Sequence, residues 1–328
     1  MARWLLYGLL GIGVLLCLMW FEHGMRTTLP TPTGSFAVGR AMVRWRDAAH
    51  ADTLAPVPGA TRDLMVWIWY PATRQATAAP TEAYLPAPWL AALVRYRGKL
   101  ISRLLDRDYA RVHTHSLRHA EVSPRQPIYP VVIMRPGMSA LTTEYTTLTE
   151  DLASHGYVVV GFDAPYRTQV VAYPDGKVVY RAPQNDPEGI NSAQGERIAR
   201  ELVTAWVDDA QFVLDRLTRL NAGDTSNRFA GRLDLTRVGI YGHSLGGATA
   251  AQFCHVDKRC KAGIDIDGAP YGSVIRDGLA QPFMFLMSDH GTASDPASRR
   301  IEADIQSIYD KLPPASRLRV MIHGANHY

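Results

Sequence analysis

The chain is short of several features that would assign it to a class. It has three cysteines in 328 residues, too few for a disulfide scaffold, and none stands at a zinc-binding spacing. It has no internal repeat and no long low-complexity run. Charge of one sign is scarce as well. Lys and Arg number 35 against 31 Asp and Glu, a formal net charge of +4 without a basic stripe, which excludes nucleic acid as the expected partner. What is present is apolar, 47% of the residues against 20% charged, enough to bury a large core and to exclude wholesale disorder. Length alone suggests two domains, although α/β units often run larger as one.

One long apolar run stands out. From Trp4 to Phe21 no residue carries a formal charge; Arg3 precedes the run, and Glu22, His23 and Arg26 follow it. As a helix it spans about 27 Å, close to the thickness of a bilayer core. The run ends in Leu18, Met19, Trp20 and Phe21, all bulky where a cleaved signal carries small residues, and Leu16 before Cys17 argues against lipid attachment. The expected arrangement is an uncleaved membrane anchor with the body outside the cytoplasm, with a cleaved signal as the alternative. The Pro/Thr-rich stretch Thr27 to Gly34 reads as a linker.

Beyond it, strand-like and helix-like segments alternate, the pattern of a mostly parallel sheet flanked by helices. Strands are expected at Phe36–Trp45, Leu64–Tyr70, Pro130–Met134, Tyr157–Phe162, Val238–Tyr241, Ala262–Ile266, Phe283–Met287 and Leu318–Ile322. Helices are expected at Leu141–His155, Ile198–Leu220, Leu245–Cys254 and Ala297–Leu312. Pro80 to Arg111 breaks the rhythm. Trp89, Leu90, Leu93, Val94, Ile101, Leu104 and Leu105 recur at helical spacing among Arg95, Arg97, Lys99, Arg103 and Arg107. This is either a helix pair packed on the sheet with a solvated basic face or a lid-like, membrane-facing pair beside a site.

The chemistry centres on Gly242-His243-Ser244-Leu245-Gly246, between a strand and a helix of small residues. A serine on such a turn is held with its hydroxyl clear of the sheet, and the two glycines give room where a side chain would clash. Ser244 is the expected nucleophile, with His243 structural. A serine needs a base and the base an orienting acid, in chain order serine, acid, histidine. His255 is too close to the elbow, His290 follows the strand Phe283–Met287, and His323 ends the last strand. His327, in the loop after that last strand, is the preferred base. For the acid, Asp265 and Asp267 end one strand and Asp289 the next; Asp267, followed by Gly268, is preferred. An oxyanion hole needs backbone N–H donors, for which Leu245 and, in the loop Arg135-Pro136-Gly137-Met138-Ser139, Met138 are the candidates.

Several segments resemble the platelet-activating-factor acetylhydrolase family of α/β-hydrolases. They are W-Y-P-A at 69–72, P-V-V-I followed by R-P-G-M, D-L-A-S-H-G-Y-V-V at 151–159, G-H-S-L-G-G at 242–247, A-G-I-D-I-D-G at 262–268 and G-A-N-H at 324–327. The resemblance runs from about Gly34 to the last residue. It implies an α/β-hydrolase fold, Ser244, Asp267 and His327 as the triad, and Met138 and Leu245 as oxyanion donors. It also implies esters of short or oxidised acyl chains, phospholipid-like or simple, as substrates, and no metal or organic cofactor. The sequence departs from the family in two places: Pro136-Gly137 stands where relatives carry His-Gly, and only Tyr328 follows His327. Cys254 and Cys260 lie between the elbow helix and the next strand; outside the cytoplasm they can close a small-loop disulfide, and otherwise they are two partly buried thiols.

The expected organisation is therefore an anchor and linker over 1–33 and a catalytic unit over 34–328 with an insertion at about 80–111. The leading function is serine carboxylic-ester hydrolysis. Polyester, thioester, dienelactone or peptide cleavage on the same triad is the alternative, and a non-catalytic membrane-tethered binding module on a hydrolase scaffold is a third reading.

Overall fold

The computed structural model describes residues 2–73, 80–104, 106–187, 192–223, 227–289 and 296–327. In chain order, α1 (Ala2–His23) is followed by β1 (Thr27–Thr28), β2 (Ala37–Ala51), β3 (Thr61–Ala72), β4 (Thr81–Ala83), α2 (Ala87–Arg97) and α3 (Lys99–Leu104). Then come β5 (Val112–Leu117), β6 (Tyr129–Arg135), α4 (Thr146–Ser154), β7 (Val158–Asp163), β8 (Val170–Ala172) and β9 (Val178–Tyr180). The rest of the chain holds α5 (Ser192–Asn221), β10 (Leu233–His243), α6 (Leu245–Val256), β11 (Cys260–Ile266), α7 (Val274–Asp277), β12 (Phe283–Ser288), α8 (Pro296–Lys311) and β13 (Arg317–Ile322).

Among the described residues the main sheet runs β1-β5-β2-β3-β7-β6-β10-β11-β12-β13, with β4 on β5. From β7 to β13 all neighbours are parallel, while β3 is antiparallel to both β2 and β7. The expected mixed, mostly parallel sheet flanked by helices is thus present. Every strand anticipated from the sequence overlaps one of these, with Phe36 and Tyr157 falling just outside β2 and β7. Helix Leu141–His155 is divided, with a tight 3₁₀ turn over Thr142–Tyr145 before α4.

Two apolar layers sandwich the sheet. On one face Val131, Ile133, Ile240 and Phe285 pack against Val213 and Leu217 of α5, Phe253 of α6 and Ile308 of α8. On the other, Trp67, Trp69, Met134, Val159 and Tyr241 pack against Trp89 and Leu93 of α2, Ala153 of α4 and the hairpin β8-β9. The basic insertion is therefore fixed to the sheet through α2. Arg97 reaches Gln169 and Asp106, and Trp89 meets the Trp67 ring edge-on. Leu105 and the side chains of Ile101, Arg103 and Leu104 lie outside the described residues. Toward β13 the second face opens to solvent, with Leu318, Val320 and Ile322 exposed.

The amino-terminal helix behaves differently. α1 is long and apolar enough to cross a membrane, and none of its described apolar span is buried in the protein. Its end is tied to the insertion: Arg107 pairs with Glu22, Arg111 donates to the Gly24 carbonyl, and His23 bonds the Asp106 carbonyl. The following segment lies on the sheet. β1 pairs with β5, His115 donates to the Leu29 carbonyl, and Thr33 binds Asp151.

Candidate active site

The parallel strands β10, β11 and β12 end side by side, and the candidate residues collect at their carboxyl ends. Ser244 sits between β10 and α6 at φ 55°, a left-handed conformation that is strained for a side-chain-bearing residue. The neighbouring glycines are obligatory. A Cβ on Gly242 would lie 2.1 Å from the Gly246 carbonyl oxygen, and one on Gly246 would lie 2.4 Å from that of Arg135. The Ser244 N–H donates to the Ile266 carbonyl at 2.8 Å, which locks the turn to β11.

His327 brings its Nε2 to 3.0 Å from Ser244 Oγ and its Nδ1 to 2.6 Å from Asp267 Oδ2. A carboxylate at Nδ1 selects the tautomer protonated there, so Nε2 presents its lone pair to the serine. Asp267 is buried and also occupies the left-handed region, at φ 56°. Its Oδ1 accepts the Ser288 N–H at 2.9 Å and its Oδ2 the Ser288 hydroxyl at 2.5 Å. These bonds orient the carboxylate toward the histidine. Of the other carboxyls, Asp265 lies wholly buried below the elbow. Asp289 faces His323 at 3.4 Å, while its N–H donates to the Ala325 carbonyl, so it braces the loop that carries His327. His255 bonds the Gly278 carbonyl, away from the site, and His290 lies outside the described residues.

His243 turns its ring away from Ser244 to other partners. Its Nε2 lies 2.9 Å from the His327 carbonyl oxygen and its Nδ1 2.8 Å from the Tyr145 hydroxyl. A carbonyl only accepts, so Nε2 carries the proton and Nδ1 accepts from Tyr145. Tyr145 in turn accepts the Gly137 N–H at 3.0 Å. Burial lowers the His243 pKa, which favours the neutral ring that this chain requires, and raises that of Tyr145 to about 12. One directional chain thus joins the loop of Gly137 to the loop of His327. Sequence reasoning found no sign of it, nor of Ser288.

Met138 and Leu245 pack together against the apolar wall Leu54, Ile198, Leu202 and Ala205. Leu245 opens the first turn of α6, where backbone N–H groups have no helical acceptor. A Cβ on Gly137 would come 3.4 Å from Ser244 Cβ, which places the Met138 loop directly beside the serine. That loop is held by Ser139, bonded to Arg181, and by the buried Arg135, which donates to the Phe162 carbonyl at 2.7 Å. Burial brings the Arg135 guanidinium down to about 10. Behind the wall, buried Arg167 binds Asp52 at 2.8 Å and Asp209 at 2.8 Å, and Asn185 donates to the Leu54 carbonyl. A cavity of about 300 Å³ opens here, lined by Leu54, Ala55, Pro183, Arg197, Ile198 and Glu201.

Cys254 at the end of α6 and Cys260 at the start of β11 form a disulfide, and Cys17 is free. Among the described residues no group of His, Cys, Asp and Glu side chains is arranged to hold a metal ion.

The family model described as platelet-activating factor acetylhydrolase, isoform II, matches residues 22–299, a stretch that contains Ser244 and Asp267 and ends before His327. A probable 1-alkyl-2-acetylglycerophosphocholine esterase of Arthroderma benhamiae is 24% identical over 271 residues, 78% of this chain and 64% of that protein. The platelet-activating factor acetylhydrolase of Cavia porcellus is 24% identical over 219 residues, 61% of this chain and 48% of that protein. The chain spans about half to two thirds of the length of these relatives. Among solved structures, a ferulic acid esterase from Streptomyces cinnamoneus is similar with a TM-score of 0.71 and 26% identity, over 92% of this chain and 78% of that one. The fold is that of the α/β-hydrolases.

Proposed function

Since the chain belongs to the platelet-activating factor acetylhydrolase isoform II family, we propose that it is a serine carboxylic-ester hydrolase acting on short-acyl or phospholipid-like esters. The observation that carries the reading is the continuous set of contacts from Asp267 through His327 to Ser244. Ser244 Oγ attacks the ester carbonyl carbon as His327 Nε2 takes its proton, and Asp267 stabilises the imidazolium that forms. The tetrahedral oxyanion is met by the N–H groups of Met138 and Leu245. Collapse expels the alcohol, protonated by His327, and leaves an acyl-serine. Water, activated by the same histidine, releases the acid and restores Ser244.

The wall of Leu54, Ile198 and Leu202 behind the oxyanion residues is the acyl side of the site, and its closeness to Met138 and Leu245 suits a short chain. The membrane-length helix α1 holds the enzyme at a bilayer, and the Cys254–Cys260 disulfide fits a body on the non-cytoplasmic side.

Ser244→Ala is expected to abolish hydrolysis of p-nitrophenyl acetate and butyrate while leaving the circular dichroism spectrum and melting temperature near those of the wild type. A fluorophosphonate probe should label the wild type and not the variant. Retained turnover in the folded variant rules out Ser244 as nucleophile, and an unlabelled, folded wild type favours a binding role for the scaffold.

A further inference from the structure

The strand that delivers Asp267 carries a second carboxyl that the proposed mechanism leaves unused. Asp265 is wholly buried, in register with Gly242 of β10 on one side and Phe285 of β12 on the other. Its Oδ1 accepts the Gly268 N–H at 2.8 Å, while Oδ2 has no hydrogen-bond partner among the described residues. The fit around it is close. A Cβ on Gly247 would fall 1.8 Å from Oδ1, and one on Gly268 would fall 2.4 Å from it. The carboxyl is therefore wedged between the first turn of α6 and the turn Asp267-Gly268, where the backbone of Asp267 is in the left-handed region.

Among the described residues no cation stands against it. Gly246, Gly247 and Ala248 of α6, Gly242 and Phe285 bring no charged side chain to it, and Asp267 is the charge that acts on it. An ionised carboxylate here would be buried without a counter-charge among the described residues and beside another anion, an arrangement that is costly and is relieved by protonation. Burial first, and then the Asp267 charge, push the Asp265 carboxyl well above the usual carboxylate range.

We propose that Asp265 is a positioning residue kept as the neutral carboxylic acid: one oxygen ties down the Asp267-Gly268 turn, and its proton leaves Asp267 as the anion that faces His327. The inference rests on the triad reading. Two carboxyls stand two positions apart with opposite protonation, the outer one charged by its contact with His327 and Ser288, the inner one neutral by burial. Were both ionised, the two like charges would repel one another and weaken the hold of Asp267 on the histidine.

The test compares Asp265→Asn, a neutral isostere that keeps the acceptor for Gly268, with Asp265→Ala, which removes it. Asp265→Asn should keep kcat on p-nitrophenyl butyrate within about three-fold of wild type with the same pH profile, whereas Asp265→Ala should lower kcat about ten-fold with little change in KM. Infrared difference spectra at neutral pH should show the carbonyl band of a protonated carboxylic acid in the wild type and not in Asp265→Asn. Melting adds a readout independent of turnover. A carboxyl whose folded pKa is raised gives its full stability below the unfolded value of about 3.9 and loses it as pH rises through the folded value. The melting temperature of Asp265→Asn should therefore gain on that of the wild type from pH 4.5 to 8. A missing band, a pH-independent melting difference, or an Asn variant as impaired as the Ala variant overturns the inference. A wild type that neither turns over esters nor reacts with the fluorophosphonate defeats the triad reading, and the positioning role with it, while the band and the melting curves still read the protonation of Asp265.

Discussion

His243 and Ser244 are adjacent in sequence, yet their side chains serve different loops. Ser244 faces His327, while His243 turns to the His327 carbonyl and to Tyr145. Removing the Tyr145 hydroxyl leaves His243 Nδ1 without its donor and the Gly137 N–H without its acceptor. One net hydrogen bond is worth about 1 kcal/mol, so Tyr145→Phe should lower kcat about five- to ten-fold with KM nearly constant. His243→Ala, which also removes the Nε2 donor to the His327 carbonyl, should cost more. Steady-state kinetics on p-nitrophenyl butyrate checks both, and unchanged kcat in both variants excludes a coupling of the two loops. The positions of Ser244, Asp267 and His327 were legible because each follows a strand whose apolar run is plain in the sequence, and the glycines beside Ser244 and Asp267 mark the turns. Tyr145 was not legible. It meets His243 across 98 positions, from a 3₁₀ turn that reads as the first turn of an ordinary helix.

At the scale of elements, the wall of the site depends on a buried ionic contact. Arg167 follows β7, Asp52 lies in the connection from β2 to β3, and Asp209 lies on α5. Their side chains are almost wholly buried where they meet, and Asn185 holds the neighbouring Leu54 carbonyl. Arg167→Met keeps the length of the side chain and strands the buried Asp52, while Asp209 keeps Arg62 at 2.9 Å, an expected loss of about 3 kcal/mol read by urea unfolding. Leu54→Ala tests the wall more gently. It should raise kcat/KM for p-nitrophenyl hexanoate relative to acetate, and an unchanged ratio places the acyl chain elsewhere. The α6–β11 connection carries the disulfide, closing a loop with a sequence separation of 6. Replacing both cysteines by serine should lower stability by about 2 kcal/mol under oxidising conditions. The core strands and long helices were readable from apolar runs and helical spacing. The antiparallel pairing of β3 with β7 and the hairpin β8-β9 were not, because pairing partners are chosen by tertiary packing and leave no local mark.

For the whole molecule, the decisive boundary is where the apolar helix α1 stops and the folded body starts. By composition, everything before Gly34 reads as anchor plus linker. The contacts divide that stretch. α1 meets the body only near its C-terminal end among the described residues, whereas Thr27 and Thr28 add a strand beside β5, Leu29 accepts from His115, and Thr33 and Gly34 bond the end of α4. Pro30 and Pro32 give the stretch the look of a linker in sequence, since they cannot continue a strand ladder. Its hydrogen bonds come instead from the residues between and around them. A chain beginning at Met25 should therefore stay in solution without detergent, melt near the full-length protein and retain its kcat on p-nitrophenyl acetate. A chain beginning at Gly34 gives up the β1–β5 pairing and the Thr33–Asp151 bonds. At about 1 kcal/mol for each net hydrogen bond it should lose about 2–4 kcal/mol, seen as a melting temperature lower by several degrees. Its kcat should hold below that temperature, because none of the lost bonds touches Ser244, His327 or Asp267. Equal melting temperatures for the two shortened chains would return the whole stretch to the role of a tether. A fall in kcat for the chain from Met25 alone would mean that α1 supports the site as well as the anchorage.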